Sequence, residues 1–422
     1  FVNTTGTNNV AVGANALDGI ATGSNNTALG FNTLGSASLG SGDNVAVGTY
    51  ALQNQTTGNG RCVAVGKSCL ETMTTGSENT AMGWYALADC TSGEANTALG
   101  RRAMKNSTTG HNSVAVGFNA LENNTTGNAN TACGLGALRY NTTASNNTAF
   151  GRDALTANTT GTDNVAVGSY ALDANTTADN NTAMGKASLS NNTTGSGNTG
   201  YGKDSLVNNT TGVNSTAVGQ AALSSATTAN GNTAVGWSSL YSTTTGDQNT
   251  AVGREALYSN TQANNTAVGW RSLYVNTTGT ENVAVGAKAL DANTTGGYST
   301  SIGYNSLTAN TTGQLNTALG HSALSSNTTA SSNVAIGNSA LQLNTTGAEN
   351  VALGRNSLQA NTTASNNTAV GYQSLLSNTT GTSNVAVGTY ALDANTTAND
   401  NTAAGYFALS SNTTGSQNTG FG

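Results

Sequence analysis

The sequence predicts an all-β chain wound as a parallel β-solenoid, of the β-roll or β-helix type, with about 25 coils and one repeat unit per coil. Three observations point there. The string Asn-Thr/Val-Ala-Val/Leu-Gly recurs along all 422 residues, closing on glycines from Gly13 to Gly422. The steps between these glycines are 17 residues, except for two of 18 (Gly30 to Gly48, Gly48 to Gly66) and one of 16 (Gly253 to Gly269). Seventeen residues hold strands and turns but no helix pair, since helical repeats need roughly 33–47 residues. Finally, 53 glycines and no proline suit a chain in which every coil gives its backbone N–H to a ladder. Coils stacked about 4.8 Å apart would make a rod of about 120 Å.

With the closing glycine as slot 0, the unit reads G-x-x-A-L-x-x-N-T-T-G-x-x-N-T-A-V. Strand one is expected over slots 13–16, as in Asn164-Val165-Ala166-Val167. Alternation then puts slots 14 and 16 on one face and slots 13 and 15 on the other. Slot 16 is almost always apolar, so slots 14 and 16 are expected to point into the coil. Strand two is expected at slots 3 and 4, as in Ala171-Leu172, with the slot 4 leucine inside (Met104 replaces it once). The small residues of slots 15 and 3 then face away from those placed inside. Their persistence implies that another backbone approaches closely, either the opposite wall of the same coil or a neighbouring chain.

The turns follow from their residues. Glycine at slot 0 suits a positive φ or a position without room for a Cβ. Slots 7–10, Asn-Thr-Thr-Gly, make the second turn, with side chains bonding nearby backbone. Slot 10 is alanine at Ala144, Ala178, Ala330, Ala364 and Ala398, so it is not expected to be left-handed. Asparagines at slots 7 and 13 are expected to stack as amide ladders.

Composition excludes several functions. Only 8% of residues are charged, 5% are aromatic and 36% hydrophobic, too few for a conventional core of large side chains. The interior of each coil is thin, and association between parallel copies would help stabilise it. No apolar run is long enough to cross a membrane, so no membrane insertion is expected in this segment. A net charge of −6 argues against nucleic acid as a partner. No composition shift interrupts the repeat, so residues 1–422 read as one continuous repeat domain. The chain lacks a starting methionine and ends on a repeat boundary, which suggests a window on a longer protein.

Ten of the thirteen Lys and Arg residues fall at slots 1 or 2, among them Arg101 and Arg254. Aromatics share slot 1: Trp84, Trp237, Trp270, Tyr304 and Tyr372. Acidic residues gather at slots 5, 6, 11 and 12. Two readings stand side by side. One is a solvated edge; the other is a surface-contact stripe of Trp84, Arg101, Trp237, Arg254, Trp270, Tyr304 and Tyr372 that touches glycans or cell-surface receptors.

Catalysis is not expected. Carboxylates are dispersed, no His–Ser–Asp grouping stands out, and Gly134-Leu135-Gly136 precedes no helix, so it is no nucleotide loop. The four cysteines, Cys62, Cys69, Cys90 and Cys133, form no Cys-x-x-Cys, and His111 and His321 lie far apart, so neither a zinc site nor any other cofactor is expected. Cys133, at slot 16, reads as a core residue. Cys62 and Cys69 read as neighbours that are either free or bridged. Asn-x-Thr sequons, including Asn141, Asn158, Asn293 and Asn412, are glycosylation candidates in a secreted chain. Stacked threonines also raise ice binding, although the Thr-Thr pair in a turn does not form a flat array.

The run Asn-Val-Ala-Val-Gly, two variable residues and Ala resembles the head repeat of trimeric autotransporter adhesins of the YadA type. It recurs at Asn9–Gly13, Asn44–Gly48, Asn282–Gly286 and Asn384–Gly388. The resemblance implies a left-handed parallel β-roll assembled as a homotrimer on the cell surface. The unit is longer than that family's usual repeat, through its Leu and its Asn-Thr-Thr-Gly turn. In this it resembles repeats of phage tail-fibre proteins that end in a self-cleaving chaperone domain. The expectation is therefore an extracellular structural fibre, filament or adhesin shaft that self-associates. A tail-fibre segment for host attachment is the alternative, and an ice-binding solenoid is a third reading.

Overall fold

A computed structural model describes residues 3–36, 40, 42–57 and 59–422. The chain divides into two compact units, Phe1–Val213 and Asn214–Gly422. Each is a parallel β-solenoid with one repeat per coil and no helix among the described residues. Unit 1 contains twelve three-residue strands, from β1 (Val10–Val12) to β12 (Thr199–Tyr201). Unit 2 contains thirteen, from β13 (Thr216–Val218) to β25 (Thr419–Phe421). Within each unit every strand pairs in parallel with the strands of the adjacent coils, and equivalent slots stand opposite one another, as in Val165↔Thr182, Ala166↔Ala183 and Val167↔Met184. The 16-residue coil keeps this register (Thr250↔Thr266), so the lost residue comes out of the turn between them.

The inside of the coil is the reverse of what alternation suggested. The strand covers slots 14–16, and it is the slot 15 alanine that is fully buried, as at Ala166 and Ala183. Slots 14 and 16 point outward: Val10, Val12, Leu29, Met82, Phe150 and Tyr201 are all exposed. The reason is space. Slot 15 faces slot 3 of the same coil across a gap that admits only small side chains. Gly200 takes slot 15 where Ser188 and Ser205 take slot 3. A Cβ on Gly200 would collide with Ser188 Oγ and lie 3.0 Å from Ser205 Oγ. The close backbone that small residues announced is thus the opposite wall of the same coil. Cys133, at slot 16, is accordingly half-buried on the outward face and is not a core residue.

Strand two does not form. Slots 1–6 are a run of turns in which slots 2 and 4 hold positive φ, as at Tyr170 (61°) and Leu172 (50°). Slot 12 does the same, as at Asn180 (60°). Alternating left-handed residues turn successive N–H and C=O groups toward the adjacent coils, so this wall is hydrogen-bonded without being a sheet. Tyr170 N donates to Arg152 O (3.0 Å) and Leu172 N to Ser188 O (3.0 Å). Ala174 N donates to Ser190 O (3.0 Å). Left-handed backbone is costly for a residue with a Cβ and worst for a β-branched one. Among the described non-glycine residues with positive φ none is Val, Ile or Thr. That is why slot 4 is Leu or Met: it reaches the interior without branching at Cβ.

Slot 0 behaves as its glycine requires. Gly168 has φ +132°, and a Cβ there would sit 2.6 Å from the carbonyl carbon of Gly185. Slot 10 glycines of the 17-residue coils, such as Gly161, have no positive φ. Their need is for space instead, since a Cβ on Gly161 would meet Ala178 O.

Two amide ladders close the core. At slot 7, Asn158 Nδ2 donates to Asn141 Oδ1 (3.0 Å) and to Gly161 O (2.9 Å). At slot 13, Asn164 N donates to Asn147 Oδ1 (3.0 Å) and Asn164 Nδ2 to Ala178 O (2.8 Å). These buried side chains thereby satisfy the turn carbonyls that the backbone ladder leaves open.

Candidate functional site

Two surfaces stand out, and both follow from the coil geometry. The first is the outward face of each unit's sheet. Because slot 15 fills the inside, slot 14 presents Thr or Val and slot 16 presents Val, Leu, Met, Ile or an aromatic residue, with Cys133 and Ala404 the exceptions. In unit 1, Val10 and Val12 are 54% and 56% exposed and Phe150 is 55% exposed. In unit 2 the column includes Val252, Ile302, Leu319, Leu353 and Val387, all exposed. A unit's two outward rows cover on the order of 500 Å², from the strand spacing and residue rise. The largest apolar patch of an ordinary monomer is about 300–600 Å² and is often functional, so these rows, with Thr interleaved at slot 14, match such a patch in size. Slot 16 is bulky and uneven in unit 1, where Met82, Phe150, Met184 and Tyr201 interrupt the valines. In unit 2 it is regular over Val218, Val235, Val252 and Val268, beside Thr216, Thr233, Thr250 and Thr266 at slot 14.

The second surface is the slot 1 edge. Residues one coil apart lie about 4.8 Å from one another, so slot 1 side chains stack in sequence order. In unit 1, Arg101 lies between two rings, its guanidinium carbon 4.6 Å from the Trp84 centroid and 5.3 Å from that of Phe118. In unit 2, Arg254 lies 4.9 Å from Trp237, and Trp270 is covered by Lys288 at 5.3 Å. Tyr304 stacks on His321 (5.4 Å), and Tyr372 lies 6.0 Å from Arg355. The structure therefore brings Trp84 together with Arg101 and Trp237 with Arg254, while Tyr304 and Tyr372 belong to separate pairs. None of the slot 1 positions carries Asp or Glu. Slot 2 supplies a carboxylate beside some cations: Arg152–Asp153 (3.2 Å), Lys203–Asp204 (3.4 Å) and Arg254–Glu255 (3.3 Å). Lys67, Arg101, Lys186 and Arg355 have no carboxylate partner among the described residues.

The sequons divide by slot. Asn141, Asn158 and Asn293 are fully buried, and their Nδ2 atoms are the ladder donors, so attaching a glycan would break two hydrogen bonds at each. Asn412, in the last coil, is half-buried but makes the same bonds (3.4 and 2.9 Å). Sequons that reach solvent start at slot 12, as at Asn25, Asn146, Asn180, Asn264 and Asn366, or at slot 6, as at Asn191 and Asn208, all exposed. Sequence alone could not separate the two groups, because both read Asn-x-Thr.

Cys62, Cys69 and Cys90 are buried free thiols, and burial pushes them up to about 11, 12 and 11. Cys62 and Cys69 are not bridged; Cys69 lies in the turn wall at slot 3, and its Sγ donates to Ala81 O (3.2 Å). A shallow polar recess includes Glu78, Glu94 and His111, but Glu78 pairs with Arg61 (2.8 Å) and His111 Nδ1 accepts from Glu94 N (3.0 Å). Among the described residues no group of three or more His, Cys, Asp or Glu side chains could hold a metal ion, and no helix is long and apolar enough to cross a membrane. The slot 8 threonines are occupied as well, as where Thr142 Oγ1 donates to Thr159 O (3.0 Å). No protein-family model and no curated protein matches the chain.

Proposed function

We propose that this chain is a structural segment of an extracellular fibre or adhesin shaft, in which parallel copies pack through their outward sheet faces. It performs no catalysis. The observation that carries the reading is the apolar outward sheet face: a strand that turns alanine inward and displays valine, leucine and phenylalanine still has apolar surface to bury. A second copy offers a matching surface with the same coil spacing, so ridges of equal period interlock. A phage tail-fibre segment is built on the same principle and differs in what the rest of the gene encodes.

Sedimentation equilibrium tests it. The expected mass is a multiple of the single-chain mass at micromolar concentration. Replacing outward residues of both units (Phe150→Lys and Leu353→Lys together) should return it to one chain without loss of β-structure. A wild-type chain that stays single overturns the proposal. One observation favours ice binding as a second reading: the regular Thr and Val columns of Thr216–Val268 on a sheet face. Thermal hysteresis that disappears in Thr233→Leu would establish it over self-association.

A further inference from the structure

We infer that the slot 1 edge of unit 1, centred on Arg101 between Trp84 and Phe118, is a docking surface for an anionic polysaccharide lying along the stack of coils. This goes beyond the structural role proposed above and does not depend on it.

The charge distribution is the first support. The protein carries 19 acidic and 13 basic residues, yet unit 1 places Lys67, Arg101, Arg152, Lys186 and Lys203 on this one edge with no acid at slot 1; Asp153 and Asp204 pair with Arg152 and Lys203, and Lys67, Arg101 and Lys186 keep their charge unpaired among the described residues. An acidic protein with a cationic line selects an anionic partner at that line and repels it elsewhere.

The state of Arg101 is the second. Rings lie on both sides of its guanidinium, at 4.6 and 5.3 Å, and no carboxylate pairs with it among the described residues. The Arg101 side chain is exposed, so the guanidinium is open to solvent between the rings. A guanidinium held in this way loses little freedom on binding, and its fork fits carboxylate or sulfate oxygens in pairs. Trp84 and Phe118, 44% and 42% exposed, offer apolar ring edges to the C–H groups of a sugar on either side.

Spacing is the third. The unpaired Lys67 and Arg101 are two coils apart, which is about 10 Å along the stack. That is the length of a disaccharide, the interval at which many acidic polysaccharides repeat their charge. Duplex nucleic acid carries a charge every ~1.7 Å, a density that these cations do not match and that the net charge of −6 opposes.

The experiment uses the whole chain and defined probes: an oligomer of uronic acid, a sulfated dextran, a neutral dextran, polyglutamate and a single-stranded DNA. Titration calorimetry at low and moderate salt should show binding of the uronate or the sulfated polymer. Which of the two binds names the anionic group. Binding should weaken with salt and fall about tenfold or more in Arg101→Gln. Trp84→Ala should weaken it too, although it removes no charge. Failure of both anionic glycans to bind overturns the inference. So does equal binding of polyglutamate or DNA, or an Arg101→Gln chain that binds unchanged. Sedimentation of Arg101→Gln keeps the two ideas apart: its mass should equal that of the wild type. A chain that associates but ignores glycans sinks this inference alone, and one that binds glycans as a single chain sinks only the fibre.

Discussion

Slot 7 is filled in two ways within unit 1. From Asn124 to Asn209 every slot 7 residue is asparagine, each later Nδ2 reaching the preceding Oδ1, at 2.8 Å from Asn141 and 2.7 Å from Asn209. In the coils before them the position holds Gln55, Met73, Cys90 and Ser107, all fully buried, and no side-chain ladder joins them. The backbone makes the same bonds in both regions: Thr74 N to Thr91 O at 2.9 Å, Thr176 N to Thr193 O at 3.1 Å. The stack thus does not need the amide ladder in order to form, since apolar volume does the same filling. What it does not tolerate cheaply is a change of partner. Buried polar atoms without a hydrogen bond include Gln55 Oε1 and Nε2, next to Met73. They also include Ser107 Oγ, between Cys90 and Asn124, and Asn209 Oδ1 at the end of the run. The defects lie where one solution meets the other or a ladder ends, as the cost of unpaired buried groups requires.

The largest expected effect breaks the ladder in its middle. Asn158→Leu removes the donor to Asn141 Oδ1 and Gly161 O and the acceptor for Asn175 Nδ2 (2.9 Å). Gly161 O keeps Asn147 Nδ2 (2.9 Å), so two unsatisfied buried groups at about 1–3 kcal/mol each put the cost at about 2–6 kcal/mol. Met73→Leu, in the filled region, exchanges similar volumes and should cost about 1.5 kcal/mol or less. Amide exchange in the flanking coils is the suitable measurement, because a repeat array does not unfold in two states. Equal losses of protection at the two sites would mean that the ladder contributes no more than volume.

The inner leucine wall is common to both regions, which gives a second and smaller test. Leu172 and Leu87 both sit at φ +50° and are fully buried. Val at either position loses a methylene and adds a β-branch to left-handed backbone. Together these should cost about 2–3 kcal/mol. The two substitutions should lower the melting temperature alike. A much larger drop for Leu172→Val would show that the ladder and the leucine wall stabilise one another.

The repeat made the solenoid, its parallel register, the buried leucine and both asparagine ladders readable from residues alone. The direction of the strand was not, and the reason is physical. Alternation separates Ala166 from Val165 and Val167, but it does not say which side is inside. Assigning the larger apolar residues to the interior assumes room for them, and the opposite wall leaves none. A signal for that wall was present: slots 2, 4 and 12 avoid Val, Ile and Thr in a chain otherwise full of threonine, as left-handed backbone demands. The pairing of Gly200 with Ser188 and Ser205 was a second signal, of volume exchanged across the coil. On the edge, the slot 1 periodicity of Trp and Arg was legible. That Arg101 would lie between Trp84 and Phe118 depended on how their rings turn along the stack, which sequence order does not specify.

The smallest expected effect concerns the outer flank of the laddered coils. Asp173, at slot 5 of the coil that contains Asn175, is half-buried, and its Oδ1 has no partner. Burial, opposed by a backbone hydrogen bond and aided by the nearby Asp153 charge, pushes its carboxyl from 3.8 up to about 6. The folded chain therefore holds a proton that the unfolded chain has released between those values. Stability must rise as the pH falls from 7 through about 6 toward 4, and the gain is lost again as the pH rises through the folded value. Because the group is half exposed, solvent screening reduces the gain to about 1 kcal/mol. Asp173→Asn keeps the shape and removes the titration. It should melt higher than wild type at pH 7, and the difference should shrink at pH 4. Melting curves of both chains at the two pH values decide it: a difference that stays constant would place the cost of Asp173 in its packing and not in its charge.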